Sequence, residues 1–151
     1  MRKIIAGALL GLVLFFASCD RPSKVGLGPT MTGSELAVLL RTHPDFSGTG
    51  PVVDERYHLI NATWVKSNVS AFVTGDCDDY AGEAWRTALT RGRVAFGMVI
   101  SSNITSDNRI GGHAFNFFVD PDQKIWFYEP QTHRTWQPTR EEMWYVSRFW
   151  I

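Results

Sequence analysis

Three stretches of the 151-residue chain place reactive side chains where they could act together. The first is Asp76-Cys77-Asp78-Asp79, which opens an apolar-periodic run after the turn signal Thr74-Gly75. A thiol at the first turn of a helix faces unpaired N–H groups and the positive end of the helix dipole, which favour the thiolate. Three carboxylates around it oppose the thiolate, so a positive partner is required, either an imidazolium, a metal ion or both. The second stretch is Gly111-Gly112-His113, where a histidine starts a strand behind two residues without side chains. The third is Glu129-Pro130-Gln131. A thiol, an imidazole and a carboxylate are the parts of a nucleophilic triad, in which the imidazole moves the proton and the carboxylate fixes its tautomer.

The elements that must position these groups follow from periodicity. Cys77 to Thr90 carries Tyr80, Ala81, Ala84, Trp85 and Ala88 on one face, which predicts a helix with an acidic first turn. His113 to Val119 and Ile125 to Gln131 read as strands of one hairpin around Asp120-Pro121-Asp122-Gln123-Lys124. In that register Val119 opposes Ile125, Phe115 opposes Glu129 and His113 opposes Gln131, so His113, Glu129 and Gln131 share a face. Asn116 is an odd step from His113 and faces the other way, which makes it a poor group for orienting the imidazole. A one-residue slip would turn Glu129 away. Ser34 to Arg41 is a second helix, His43 to Gly50 a loop, and Tyr57 to Ser70 partly helical. Val94 to Ser101 is a strand and Ser102 to Gly112 a polar loop. Trp144 to Ile151 is read as a final strand, with a helix capped by Thr139-x-x-Glu142 as the alternative. Helices followed by an antiparallel sheet make an α+β domain of two layers.

The N-terminus reads as an address. Met1-Arg2-Lys3 is basic, and the apolar run from Ile4 to Phe16 is too short to span a bilayer, which takes about 20 residues. Phe16-Ala17-Ser18-Cys19 resembles a bacterial lipobox, which implies a signal peptide over 1–18, lipid on Cys19 and a tether over 19–30. The folded domain is then 31–151. Asp20 resembles the inner-membrane retention signal of enteric lipoproteins, so a lipid anchor on the periplasmic side of the inner membrane is expected. Losing Arg2 and Lys3 leaves 13 basic against 15 acidic residues, and no basic stripe of the kind a nucleic-acid binder shows. With Cys19 spent on lipid, Cys77 has no disulfide partner within the chain.

Three segments, Asp76-Cys77-Asp78-Asp79-Tyr80-Ala81, Gly112-His113-Ala114-Phe115-Asn116-Phe117-Phe118 and Glu129-Pro130-Gln131-Thr132, together resemble the papain-like protease domain at the C-terminus of the fairy-ring mushroom agglutinin and its bacterial and phage relatives. The resemblance runs over Leu36 to Ile151. It implies a papain-like fold, a cysteine peptidase acting on peptide or protein substrates, and a triad of Cys77, His113 and Glu129. It also implies calcium beside the site, held by Asp78, Asp79, Glu129 and Gln131, whose oxygens suit a hard cation. Asp78 and Asp79 could equally cap the helix. Asn68, Ser70 and Trp64 lie where an oxyanion donor is drawn in such folds, and no motif chooses among them. Two other readings stay open. One is a cell-wall peptidase of the NlpC/P60 type, whose usual Cys-Ser-Gly is here Cys77-Asp78-Asp79. The other is a non-catalytic lipoprotein that binds or excludes a surface partner. His43, His58 and His133 show no metal spacing.

Overall fold

Large apolar residues occupy nearly every position of the central strands, so both faces of their sheet must be covered. The computed structural model, which describes residues 26–102 and 112–151, shows how. The signal segment, Cys19, Asp20 and most of the Ser102 to Gly112 loop lie outside the described residues. Five strands form an antiparallel sheet: β3 (Phe96–Ser101), β4 (His113–Val119), β5 (Ile125–Glu129), β6 (Arg134–Trp136) and β7 (Val146–Trp150), in the order β6-β5-β4-β3-β7. A separate pair, β1 (Leu27–Thr32) and β2 (Arg56–Ile60), is also antiparallel. The helices are α1 (Gly33–Thr42), α2 (Ala62–Asn68), α3 (Cys77–Arg91) and α4 (Arg140–Trp144). Mixed α+β is therefore correct, but there are three layers and not two.

One face of the sheet carries Val99, Phe115, Phe117, Phe127 and Phe149, packed with Leu36 and Leu40 of α1, Phe46 and Met143. The other carries Phe96, Phe118 and Tyr128, packed with Ala84 and Ala88 of α3 and with Trp64 and Val65 of α2. Truncating one of these fully buried rings to alanine removes about 3–5 kcal/mol. None of the described helices is long and apolar enough to cross a membrane.

The hairpin register is the one expected at its closed end, with Val119 opposite Ile125 and Asn116 opposite Tyr128. It does not extend to Gln131. β5 stops at Glu129, and Pro130 to His133 turn the chain into β6, with Glu129 opposite Arg134. His133 takes a left-handed φ of 54° in that turn. Gln131 therefore leaves the strand and does not oppose His113, because Pro130 has no N–H to continue a ladder.

Other differences have physical causes as well. Leu27 to Thr30 is strand although its Gly and Pro suggest a tether. Gly28 is needed for close approach, since a Cβ there would meet the Leu59 carbonyl oxygen, and a register shift between Leu27 and Thr30 accommodates Pro29. Tyr57 to Ser70 is helical in part, as expected, and its start belongs to the strand Arg56–Ile60. The helix starts only after Asn61, whose side chain accepts the Trp64 N–H at 2.8 Å. At the C-terminus both readings hold in succession: Thr139 and Glu142 cap α4, and β7 follows it. Ser34 to Arg41 falls within α1, where Thr32 and Glu35 cap one another, and Thr32 holds the Glu35 carboxyl below its ordinary range.

Candidate functional site

Cys77 opens α3 as the sequence suggests, and it is half-buried. Gly75 makes the approach to the helix narrow, because a Cβ there would meet the Asp79 carboxylate. That carboxylate turns back to accept the Asp76 N–H at 3.3 Å, the work of a helix cap. Asp76 and Asp78 face each other. Their side-chain hydrogen bond and mutual repulsion raise the Asp76 carboxyl, and the same bond lowers that of Asp78. The three acids at the start of α3 are thus engaged with one another and with the helix end.

The histidine and the glutamate come from neighbouring strands. His113 begins β4 and Glu129 ends β5, and alternation puts both side chains on one face. The His113 Nε2 lies 2.6 Å from the Glu129 Oε2, with side-chain exposures of 24% and 15%. This is a short, partly desolvated bond of the charge-assisted kind. The Gln131 backbone N–H donates to the second oxygen, Oε1, at 3.2 Å, so both oxygens of Glu129 are held. The Phe115 ring lies 5.6 Å from the imidazole, between centroids. With Nε2 facing a carboxylate, Nδ1 is the ring nitrogen left for a further partner.

Cys77 reaches this pair through the backbone. The Ala114 N–H, one residue beyond His113, donates to the Cys77 Sγ at 3.4 Å. The structure therefore brings all three expected residues to the start of β4. The sequence pointed to the side chains but gave no sign of the Ala114 N–H, because a backbone donor leaves no mark in residue type.

The expected calcium ligands are not brought together in the same way. Asp79 caps α3, Asp78 faces Asp76, Glu129 is committed to His113 and Gln131 N–H, and Gln131 is exposed in the turn. Among the described residues no three His, Cys, Asp or Glu side chains gather as a metal site. The upstream oxyanion candidates are also accounted for. The Asn68 amide donates to the Trp64 carbonyl at 2.9 Å, and the Trp64 Nε1 is buried without a partner. No contact singles out Ser70.

Sequence reasoning also missed a pairing in the turn behind Glu129. The Tyr128 hydroxyl lies 2.9 Å from the His133 Nδ1. Burial, with the Glu129 charge added, pushes the Tyr128 phenol up to about 12. His58 and His43 sit elsewhere, His58 against the Gly28 carbonyl and His43 at the end of α1.

No protein-family model and no curated protein matches the chain. Solved structures share its fold, two of them as follows. One is a Polyporus squamosus lectin bound to the human-type influenza-binding epitope Neu5Aca2-6Galb1-4GlcNAc, with 18% identity and a TM-score of 0.59. The other is the PSL1a-E64 complex, with 17% identity and a TM-score of 0.60. Each match covers 80% of this chain and 49% of the other, so the chain spans about half the length of these neighbours. At such identities the likeness carries the fold, and the sugar epitope remains a property of that lectin. The link to a fungal agglutinin fold therefore holds in part. The expectation of a cysteine peptidase is corrected, because a lectin, which is defined by what it binds, stands among the solved structures where a hydrolase was expected.

Proposed function

We propose that this chain is a ligand-binding domain whose ligand lies over the start of β4, against Cys77, His113 and Glu129. The carrying observation is the 2.6 Å bond between His113 and Glu129 with the Cys77 Sγ anchored one residue away. Core packing has no use for a thiol, an imidazole and a carboxylate at a sheet end, and a ligand does. The ligand we propose is a peptide or protein segment that offers a carbonyl to the thiol. E64, the compound in the PSL1a complex, is the probe. Mass spectrometry should find it retained on the peptide that contains Cys77. Unmodified protein after incubation, with no shift in melting temperature, would contradict the reading.

Anchoring of this domain by lipid on Cys19, at the periplasmic side of the inner membrane, is part of the proposal. It is supported by Ala17-Ser18-Cys19-Asp20 alone. Acyl mass on Cys19 in membrane extracts tests it.

A further inference from the structure

Asn116 sits on β4 with no solvent exposure, on the face of the sheet opposite His113 and Glu129. Its Nδ2 donates to the Ala81 carbonyl of α3 at 2.9 Å and to the Gly97 carbonyl of β3 at 3.2 Å. Two carbonyl partners fix the amide orientation, because an oxygen turned toward them would be repelled. The Oδ1 is left buried without a partner. A leucine of similar size would avoid that orphan acceptor, so stability alone is a poor reason for an asparagine here.

What the amide supplies is direction. α3 meets the sheet through Ala81, Ala84 and Ala88, all fully buried, and a face of methyl groups gives burial without fixing where the helix stops along its own axis. Among the described residues, two hydrogen bonds tie α3 to the sheet: Asn116 Nδ2 to the Ala81 carbonyl, and the Ala114 N–H to the Cys77 Sγ. Ala81 is one helical turn from Cys77, and Asn116 is three residues along β4 from His113. We infer that Asn116 is a positioning residue, whose buried amide holds α3 at the height that brings the Cys77 thiol to the Ala114 N–H and beside the His113–Glu129 pair. The inference rests on the reactive-thiol site proposed above.

The test compares Asn116→Leu with Phe46→Leu, a core substitution on the opposite face that lowers stability without touching α3. Two quantities are read in each folded variant: the iodoacetamide labelling rate of Cys77, and hydrogen exchange at the Ala114 amide. Asn116→Leu should slow labelling about tenfold, the size of one lost positioning hydrogen bond, and should speed Ala114 exchange. Phe46→Leu should leave both at wild-type values once exchange is corrected for global stability. If Asn116→Leu does not fold, Asn116→Ser, which is smaller and too short to reach Ala81, is read in the same way. Wild-type values for labelling and exchange in a folded Asn116 variant would overturn the inference. A labelling rate that His113→Ala leaves unchanged would instead remove the reactive-thiol reading, and Ala114 exchange alone would then decide the role of Asn116.

Discussion

At the end of β5, Glu129 gives one carboxylate oxygen to His113 and the other to a backbone N–H of the turn that follows. At the start of α3, Asp76, Asp78 and Asp79 give theirs to each other and to the helix end. The same functional group is thus placed twice around one thiol, with different outcomes. Glu129 is held across two strands that the sheet fixes, so its bond to His113 joins separate elements. The aspartates sit within one turn of one helix, where the nearest partners are local backbone and one another. The difference shows that acids held within one helical turn and an acid held across two strands do different work around one thiol. Long-range geometry decides which carboxylates are left over.

The largest effect that could break this contrast is at His113. His113→Ala should slow iodoacetamide labelling of Cys77 by about 10²-fold, the usual reach of a positioned base. An unchanged rate would mean that the thiol does not sense the imidazole. Next comes Glu129→Gln, which keeps the shape and removes the charge. Weakening a charge-assisted bond to a neutral one costs about 1 kcal/mol, close to tenfold in rate. A variant as fast as wild type would show that Glu129 is only a strand-end acceptor.

At the helix start the expected readout is stability. Asp79→Ala removes the acceptor for the Asp76 N–H and should cost about 1 kcal/mol in chemical denaturation. A neutral result would leave Asp79 free for another task and would narrow the contrast with Glu129.

The smallest effect is alkaline. The Tyr128 phenol is raised by burial, and then by the Glu129 charge, from 10.0 to about 12, and Tyr57 is raised by burial. A raised folded-state value means stability that is complete below the ordinary phenol value and is lost as pH climbs through the folded one. In a titration followed by tyrosinate absorbance, Tyr128 should ionise near pH 12 and Tyr57 later than an ordinary phenol, both together with unfolding. Four early, independent ionisations would contradict the buried Tyr128–His133 lock behind Glu129.

Much of this geometry was legible before the fold was known. Alternation from His113 to Val119 and the proline-bearing turn after it fixed the register, and register put His113 and Glu129 on one face. The N-terminal strand was not legible. Gly28 and Pro29 mark flexible linkers far more often than paired strands, and here the glycine is kept for a close approach to Leu59. β6 was too short for alternation to register. The roles of Ala114 and Asn116 were hidden for a different reason. One acts through its backbone, and the other acts on a helix whose height no sequence pattern states. Around Cys77 the helix-cap role of Asp79 was legible, since an acid in the first turn finds the nearest backbone N–H.

In the proposed reading the fold activates Cys77 and does not merely bury it. The direct measurement is the iodoacetamide labelling rate of the Cys77-containing peptide at neutral pH, in native protein and in the same protein unfolded in urea. Faster labelling is expected in the native state, with the excess lost in His113→Ala. Slower labelling in the native state would make Cys77 an inert packed thiol and would contradict the account.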